Sequence, residues 1–148
     1  MSTARAGLTL TTPAGVAEVD LDAVTDLYRS VGWSGYADRP DLLRAALAGS
    51  THVVLAHEGD ELVGLARVVS DGTSVAYLQD LLVRPGRQRL GAGTALVEAA
   101  MSPFAEVRQK VLLTDDEPRQ RAFYESLGYQ EATEHPAGPL RAFVRLDA

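Results

Sequence analysis

The chain has 148 residues and a mass of 15.8 kDa, the size of one domain at the usual ~100–200 residues each. It is 46% hydrophobic and 23% charged, a globular balance that excludes disordered and fibrous classes. Fourteen basic against 20 acidic residues give a net charge of −6, which argues against nucleic-acid or anionic-membrane partners.

Residues 1–8 read as a loose start, and Met1-Ser2-Thr3-Ala4-Arg5 lacks the charged-then-apolar layout of a secretory signal. No apolar run approaches the ~18 residues of a membrane span, so a cytoplasmic location is expected. Residues 9–12 form a strand candidate stopped at Pro13. Leu21, Val24, Leu27, Tyr28 and Val31 then recur at helical spacing, with Asp20 as N-cap and Gly32 as stop. Pro40 opens a second helix with Leu42, Leu43, Ala46 and Leu47 as its stripe, ended by Gly49.

Three strands follow at residues 51–57, 61–70 and 74–83, joined by short Gly-containing turns that favour hairpins. After a loop at 84–90 comes a helix from about Gly91 to Met101, then a strand at 104–113. A helix joining two strands predicts a locally parallel pair inside a mixed sheet. Another helix spans 118–127, with Asp116 or Glu117 as N-cap and Gly128 as stop, and strands at 129–134 and 141–146 finish the chain. The expected class is α/β (α+β): a mixed, mostly antiparallel sheet of six to seven strands with about four helices on both faces, in a single domain over 1–148.

Chemistry concentrates in Gln79-Asp80-Leu81-Leu82-Val83-Arg84-Pro85-Gly86-Arg87-Gln88-Arg89-Leu90-Gly91-Ala92-Gly93-Thr94. An apolar strand runs through a loop rich in Gly and Arg directly into a helix. Glycines let backbone approach a ligand, and a helix N-terminus offers unpaired N–H donors and partial positive charge. The segment therefore reads as a phosphate site. It is not a nucleoside-triphosphate loop, because Ala92 holds the lysine position, nor a dinucleotide fingerprint, because Leu96 holds the third glycine position.

Gln88-Arg89-Leu90-Gly91-Ala92-Gly93 resembles the Gln/Arg-x-x-Gly-x-Gly/Ala signature of the GCN5-related N-acetyltransferases (GNAT). Residues 77–85 look like that family's fourth strand, and Ala122-Phe123-Tyr124-Glu125-Ser126-Leu127-Gly128-Tyr129 like its late helix and the strand after it. The resemblance implies the acyl-CoA N-acyltransferase fold and acetyl-CoA as co-substrate. The backbone of Leu82 and Val83, at a family β-bulge, would bond the pantetheine arm. The N–H groups of Gln88, Arg89, Leu90, Gly91, Ala92, Gly93 and Thr94 would take the pyrophosphate. Arg84, Arg87, Arg89 or Arg119 would reach the 3′-phosphate. Where the family often has an Asn after its fifth strand, this chain reads Leu113-Thr114-Asp115-Asp116-Glu117-Pro118, and Thr114 or Asp115 would have to replace that contact.

In the family an amine attacks the thioester directly, and a tyrosine protonates the departing thiolate. Tyr124 holds the matching position; its plain alternative is an aromatic at the sheet edge. Asp80, a carboxylate inside an apolar strand, is the candidate base, or else a structural acid paired to Arg or backbone, with a water relay as base. Strand alternation would put it on one face with Leu78 and Leu82. Tyr28, Trp33, Tyr36 and Tyr77 are candidate acceptor-pocket residues, or a hydrophobic plug over the sheet. No metal spacing occurs among His52, His57 and His135, so no metal is expected. The expected activity is acetyl transfer to a primary amine of a small molecule. A protein (Lys or N-terminal) acetyltransferase and a non-catalytic acyl-CoA sensor are the alternatives, and a homodimer is a candidate assembly.

Overall fold

The computed structural model describes residues 7–88 and 91–147; Met1 to Arg5, Arg89 and Leu90, which the sequence reading used, lie outside the described residues. The chain forms two compact units, Met1–Leu113 and Thr114–Ala148. The first contains β1 (Leu8–Thr11), α1 (Leu21–Ser30), α2 (Ser34–Ala37), α3 (Pro40–Ala48), β2 (His52–Glu58), β3 (Glu61–Ser70), β4 (Val75–Val83), α4 (Ala92–Met101) and β5 (Gln109–Leu112). The second contains α5 (Pro118–Ser126) and a 3-10 turn, Ala132–Glu134.

Among the described residues the sheet has five strands in the order β1-β2-β3-β4-β5, not six to seven. The first four are antiparallel neighbours, and β5 lies parallel to β4 across the α4 crossover. The expected strands at 129–134 and 141–146 do not form: the first is replaced by a turn and the 3-10 segment, and the second carries no ladder. A strand exists only with a partner, so an alternating sequence cannot by itself supply one. Among the described residues there are five α-helices rather than about four. The addition is α2, one turn built on the Trp33 carbonyl, which accepts from Ala37 N–H at 3.2 Å.

Local chemistry sets the other boundaries. The Asp20 side chain caps α1 by accepting from Ala23 N–H at 3.1 Å, and Gly32 at φ 84 turns the chain out of the helix. Pro40 occupies the first turn of α3, where its missing N–H costs nothing.

Helices cover both faces. Val24, Leu27 and Tyr28 of α1 and Leu43 and Leu47 of α3 pack with Val53, Leu55, Leu62, Leu65 and Leu82. Gly64 and Val83 pair beside Leu65 and Leu82, so they face the opposite side, where α4 packs. A Cβ on Gly64 would stand 2.6 Å from Leu96 Cδ1 and 3.0 Å from the Leu82 carbonyl oxygen. Absence of a side chain at position 64 therefore lets α4 lie directly on the sheet.

Two irregularities shape β4. Arg67 pairs with Asp80 and Val68 with Leu78, leaving Gln79 as an extra residue. The expected bulge thus falls at Gln79, not at Leu82 and Val83. Since Arg67 and Val68 point to opposite faces, so do Asp80 and Leu78, contrary to uninterrupted alternation. Further on, β5 pairs only with positions 75–78 of β4, and Gln79 to Val83 continue without a partner on that side.

Substituting Gly64→Ala is expected to destabilise the fold by about 1–3 kcal/mol through overpacking. A lower urea midpoint with unchanged slope would show this; an unaltered midpoint would mean that α4 shifts freely.

Candidate active site

The unpaired stretch of β4 leads into a turn and then α4. Pro85 and Gly86 form the turn, with Gly86 at φ 86 and Arg87 N–H bonded to the Arg84 carbonyl at 3.0 Å. The Gln88 side chain folds back, its Oε1 accepting from Gly86 N–H at 3.1 Å. Gly91, at φ 72, caps α4 in the left-handed region, and the first intrahelical bond runs from Ala95 N–H to the Gly91 carbonyl at 3.1 Å. The N–H groups of Ala92, Gly93 and Thr94 thus stand at the positive end of a ten-residue helix.

Arg84 and Arg87 are engaged elsewhere. Arg84 Nη1 lies 3.1 Å from Asp26 Oδ2, and its Nε donates to the Leu62 carbonyl at 3.1 Å. Arg87 Nη2 lies 3.1 Å from Glu61 Oε1 and its Nε 3.7 Å from Glu58 Oε1. Asp26 of α1 therefore engages Arg84, and Glu58 and Glu61 of the β2–β3 hairpin engage Arg87. Arg119 is exposed at the start of α5.

Behind β4 lies a buried polar cluster. Asp80, 3% exposed, accepts on Oδ2 from Tyr28 Oη at 2.7 Å and from Arg67 Nε at 2.9 Å. Arg67, 6% exposed, also donates from Nη1 to Ser50 Oγ at 3.3 Å. Burial lowers the Arg67 pKa, but the Asp80 charge and hydrogen bond more than reverse this, so the net shift is upward. Burial first, then Asp80, push the Tyr28 phenol far above its usual range, leaving it a permanent donor. Tyr28 is fully buried; expected at the pocket wall, it belongs to the core, because its hydroxyl completes the Asp80 shell.

Trp33 and Tyr36 stack around the Tyr28 ring at centroid distances of 5.9 and 5.4 Å. Trp33 is 38% exposed and Tyr36 half-buried. Tyr77 pairs with Val69 in the register beyond the bulge, which places it on the same face as Asp80. Consistent with this, its pKa is raised, first by burial and then by the Asp80 charge. The sequence reading missed Arg67 and Gln79. Arg67 was visible as the one charge within the apolar run Leu62 to Val69; the bulge left no local signature.

In the second unit Glu117 is the N-cap of α5, accepting from Arg119 N–H at 3.1 Å. Tyr124 is the buried residue of that helix, whereas Phe123 and Leu127 are only half-buried. Its ring sits between Phe123 at 4.9 Å and Tyr129 at 6.1 Å. Burial, with a smaller contribution from Tyr129, pushes the Tyr124 phenol up to about 12. Arg121 fastens the helix to the following turn through Glu131 at 3.0 Å and Glu134 at 2.7 Å.

Among the described residues no cluster of metal-ligating side chains occurs, and no helix is long and apolar enough to cross a membrane.

Comparison with known proteins adds the family. An acetyltransferase (GNAT) domain model matches residues 23–137. A GNAT family acetyltransferase structure from Streptococcus pneumoniae TIGR4 superposes with a TM-score of 0.80 at 31% identity, covering 95% of this chain and 98% of that one. A histone acetyltransferase from Glycine max is 34% identical over 125 residues, 75% of this chain and 51% of its own length. An uncharacterized N-acetyltransferase from Pyropia yezoensis is 28% identical over 116 residues, 75% of this chain and 65% of its own. The chain thus spans only about half to two thirds of these curated relatives. With that domain model matched over residues 23–137, the chain belongs to the GNAT family of acetyltransferases.

Proposed function

We propose that this acetyltransferase takes its acetyl group from acetyl-CoA and passes it to a primary amine of a small molecule. The observation that carries the reading is the edge of β4 from Gln79 onward, which runs on past the end of β5, together with the N–H groups of Ala92, Gly93 and Thr94 in the first turn of α4. An extended arm fits beside an unpaired strand edge, and a pyrophosphate fits a helix N-terminus. Gln79 to Val83, Leu82 and Val83 among them, would hold the arm. Arg84, Arg87, Arg89 or Arg119 would read the 3′-phosphate, and for Arg84 and Arg87 this means exchanging their acid partners for it.

Bound acetyl-CoA supplies an acetyl thioester for direct attack by the amine. Tyr124, by its match to the family's acid, keeps its proton on Oη at neutral pH and delivers it toward the leaving sulfur; a phenol raised to about 12 stays loaded across the working range. Asp80 is not free to accept a proton at Oδ2, where two donors already bind it, so proton removal from the amine falls to water, and Asp80 positions Tyr28 and β4. Trp33, Tyr36 and Tyr77 form the acceptor wall, where aromatic faces receive a cation, in a chain whose net charge of −6 favours cationic ligands. The histone acetyltransferase relative favours a second reading, transfer to a protein amine.

Calorimetric titration should show acetyl-CoA binding with micromolar affinity and no binding of ATP or NAD; absence of acetyl-CoA binding overturns the reading. Thiol release, free of background because the chain lacks cysteine, then compares polyamines and aminoglycosides with histone-tail peptides. Acetylation of peptides alone would assign the second reading.

Tyr124→Phe should lower kcat about 10²-fold with acetyl-CoA affinity retained and the pH optimum unmoved. Equal turnover would remove Tyr124 from the reaction.

Asp80→Asn should cost about 3–5 kcal/mol by leaving Arg67 buried without its counter-charge. The double change Arg67→Met with Asp80→Leu should recover most of that loss. The acidic limb of the rate profile should persist in Asp80→Asn; its disappearance would make Asp80 the base.

A further inference from the structure

Arg67 and Asp80 stand directly opposite each other across β3 and β4, at the point where Gln79 interrupts the ladder. Their charges meet at 2.9 Å between side chains 7% and 3% exposed. From that pair onward the ladder is regular: Ala66 faces Leu81, Leu65 faces Leu82 and Gly64 faces Val83. Arg84 N–H bonds the Val63 carbonyl at 2.7 Å, so Arg84, Leu82 and Asp80 turn their backbone groups to β3. Leu81 and Val83 therefore turn theirs to the other edge, the one that runs on past the end of β5.

The apolar pattern leaves a second register open. With Gln79 opposite Arg67, the ladder would continue from Val68 and Leu78 without a bulge. Leu81 would then oppose Leu65 in place of Leu82, and Leu82 would oppose Gly64 in place of Val83. Each exchange puts one apolar side chain where another stands, so burial alone discriminates poorly between the two. Asp80 separates them. In the second register it would oppose Ala66, which is fully buried on the face where α4 packs, while Arg67 would stay on the opposite face. Carboxylate and guanidinium would each be buried without a counter-charge, and Tyr28 Oη would lose the acceptor it now meets at 2.7 Å.

We infer that Arg67 is a positioning residue: its pairing with Asp80 selects the bulged register, and so decides that Leu81 and Val83, rather than Asp80 and Leu82, present N–H and C=O groups along the stretch of β4 beyond β5. Fixing a register is the best-attested use of a buried polar contact. That this edge receives acetyl-CoA rests on the proposed function; the register does not.

The double change Arg67→Met with Asp80→Leu separates register from stability, because it removes both charges together and leaves no unpaired ion behind. The variant should fold. Its cross-strand Hα–Hα nuclear Overhauser contacts should move from Leu81–Ala66 and Val83–Gly64 to Leu82–Gly64, the close pairs of the second register. Calorimetry should show acetyl-CoA bound about tenfold more weakly, as expected when backbone hydrogen bonds to a ligand are lost. Adding Leu81→Thr should restore both the contacts and the affinity, because a hydroxyl opposite Leu65 is disfavoured and the pattern alone then specifies the bulged register. Unmoved contacts in the double variant, moved contacts with undiminished affinity, a double variant that does not fold, or a triple variant that recovers neither property would each overturn the proposal. If the unaltered protein binds no acetyl-CoA, the functional reading fails, and the Overhauser contacts still decide the role of Arg67 in the register.

Discussion

A carboxylate in an apolar core must be paired, and the pairing of Asp80 organises much of the first unit. Its Oδ2 gathers Arg67 from β3 and Tyr28 from α1, so one buried charge ties a helix to two strands. The net energy of such a cluster is small compared with the cost of breaking it, because desolvation offsets most of the attraction. Its value lies in geometry. Tyr28 can reach Asp80 only if α1 lies at one depth, and the same ring then supports Trp33 and Tyr36 on its outer side. The aromatic wall and the buried ion pair are thus two ends of one construction.

The bulge at Gln79 is the second requirement of that construction. Without the extra residue, Asp80 would share a face with Leu78 rather than with Tyr77. With it, Tyr77 and Asp80 fall on the same side, and β4 then runs on past the end of β5. An edge that has lost its partner is ordinarily a liability, since free N–H and C=O groups seek a strand. Here that edge belongs to the stretch of β4 that leads through the Pro85-Gly86 turn toward α4, whose N-terminus carries partial positive charge. Of the arginines in this stretch, Arg84 is engaged by Asp26 of α1 and Arg87 by Glu58 and Glu61 of the hairpin.

The second unit follows a different economy. Arg121 with Glu125, Glu131 and Glu134 holds α5 to the turn that follows it. These partners are exposed, and ion pairs in water are weak singly; their number around one guanidinium is what fixes the turn. Inside that frame Tyr124 is buried between two aromatic rings, and burial keeps its phenol protonated well into alkaline solution. A proton donor that never discharges near neutrality suits a reaction whose leaving group departs as an anion.

Much of this was legible in the residues themselves. Asp20, Gly32, Pro40 and Glu117 mark helix ends by chemistry that acts within one turn, and they mark them in the structure. The β4–α4–β5 crossover followed from element order, because a helix between two strands of one sheet returns the chain in parallel. The Gly-rich junction marked a turn into a helix N-terminus through local backbone freedom, with Gly86 and Gly91 at positive φ. What the residues did not show were facts about partners. The bulge at Gln79 is a relation between two strands, and Tyr28 belongs to the core only because Asp80 lies across from it, 52 positions away in sequence. The arginines of the loop looked free until the hairpin acids met them. Residues 141–146 were readable as a strand, yet no strand forms in the single chain. Sequence alone determined which segments are able to become helices, strands and caps, because propensity and capping act over a few residues. Only the tertiary structure decided which charges pair with one another and which strand edges find partners, because pairing joins residues that the chain itself keeps far apart.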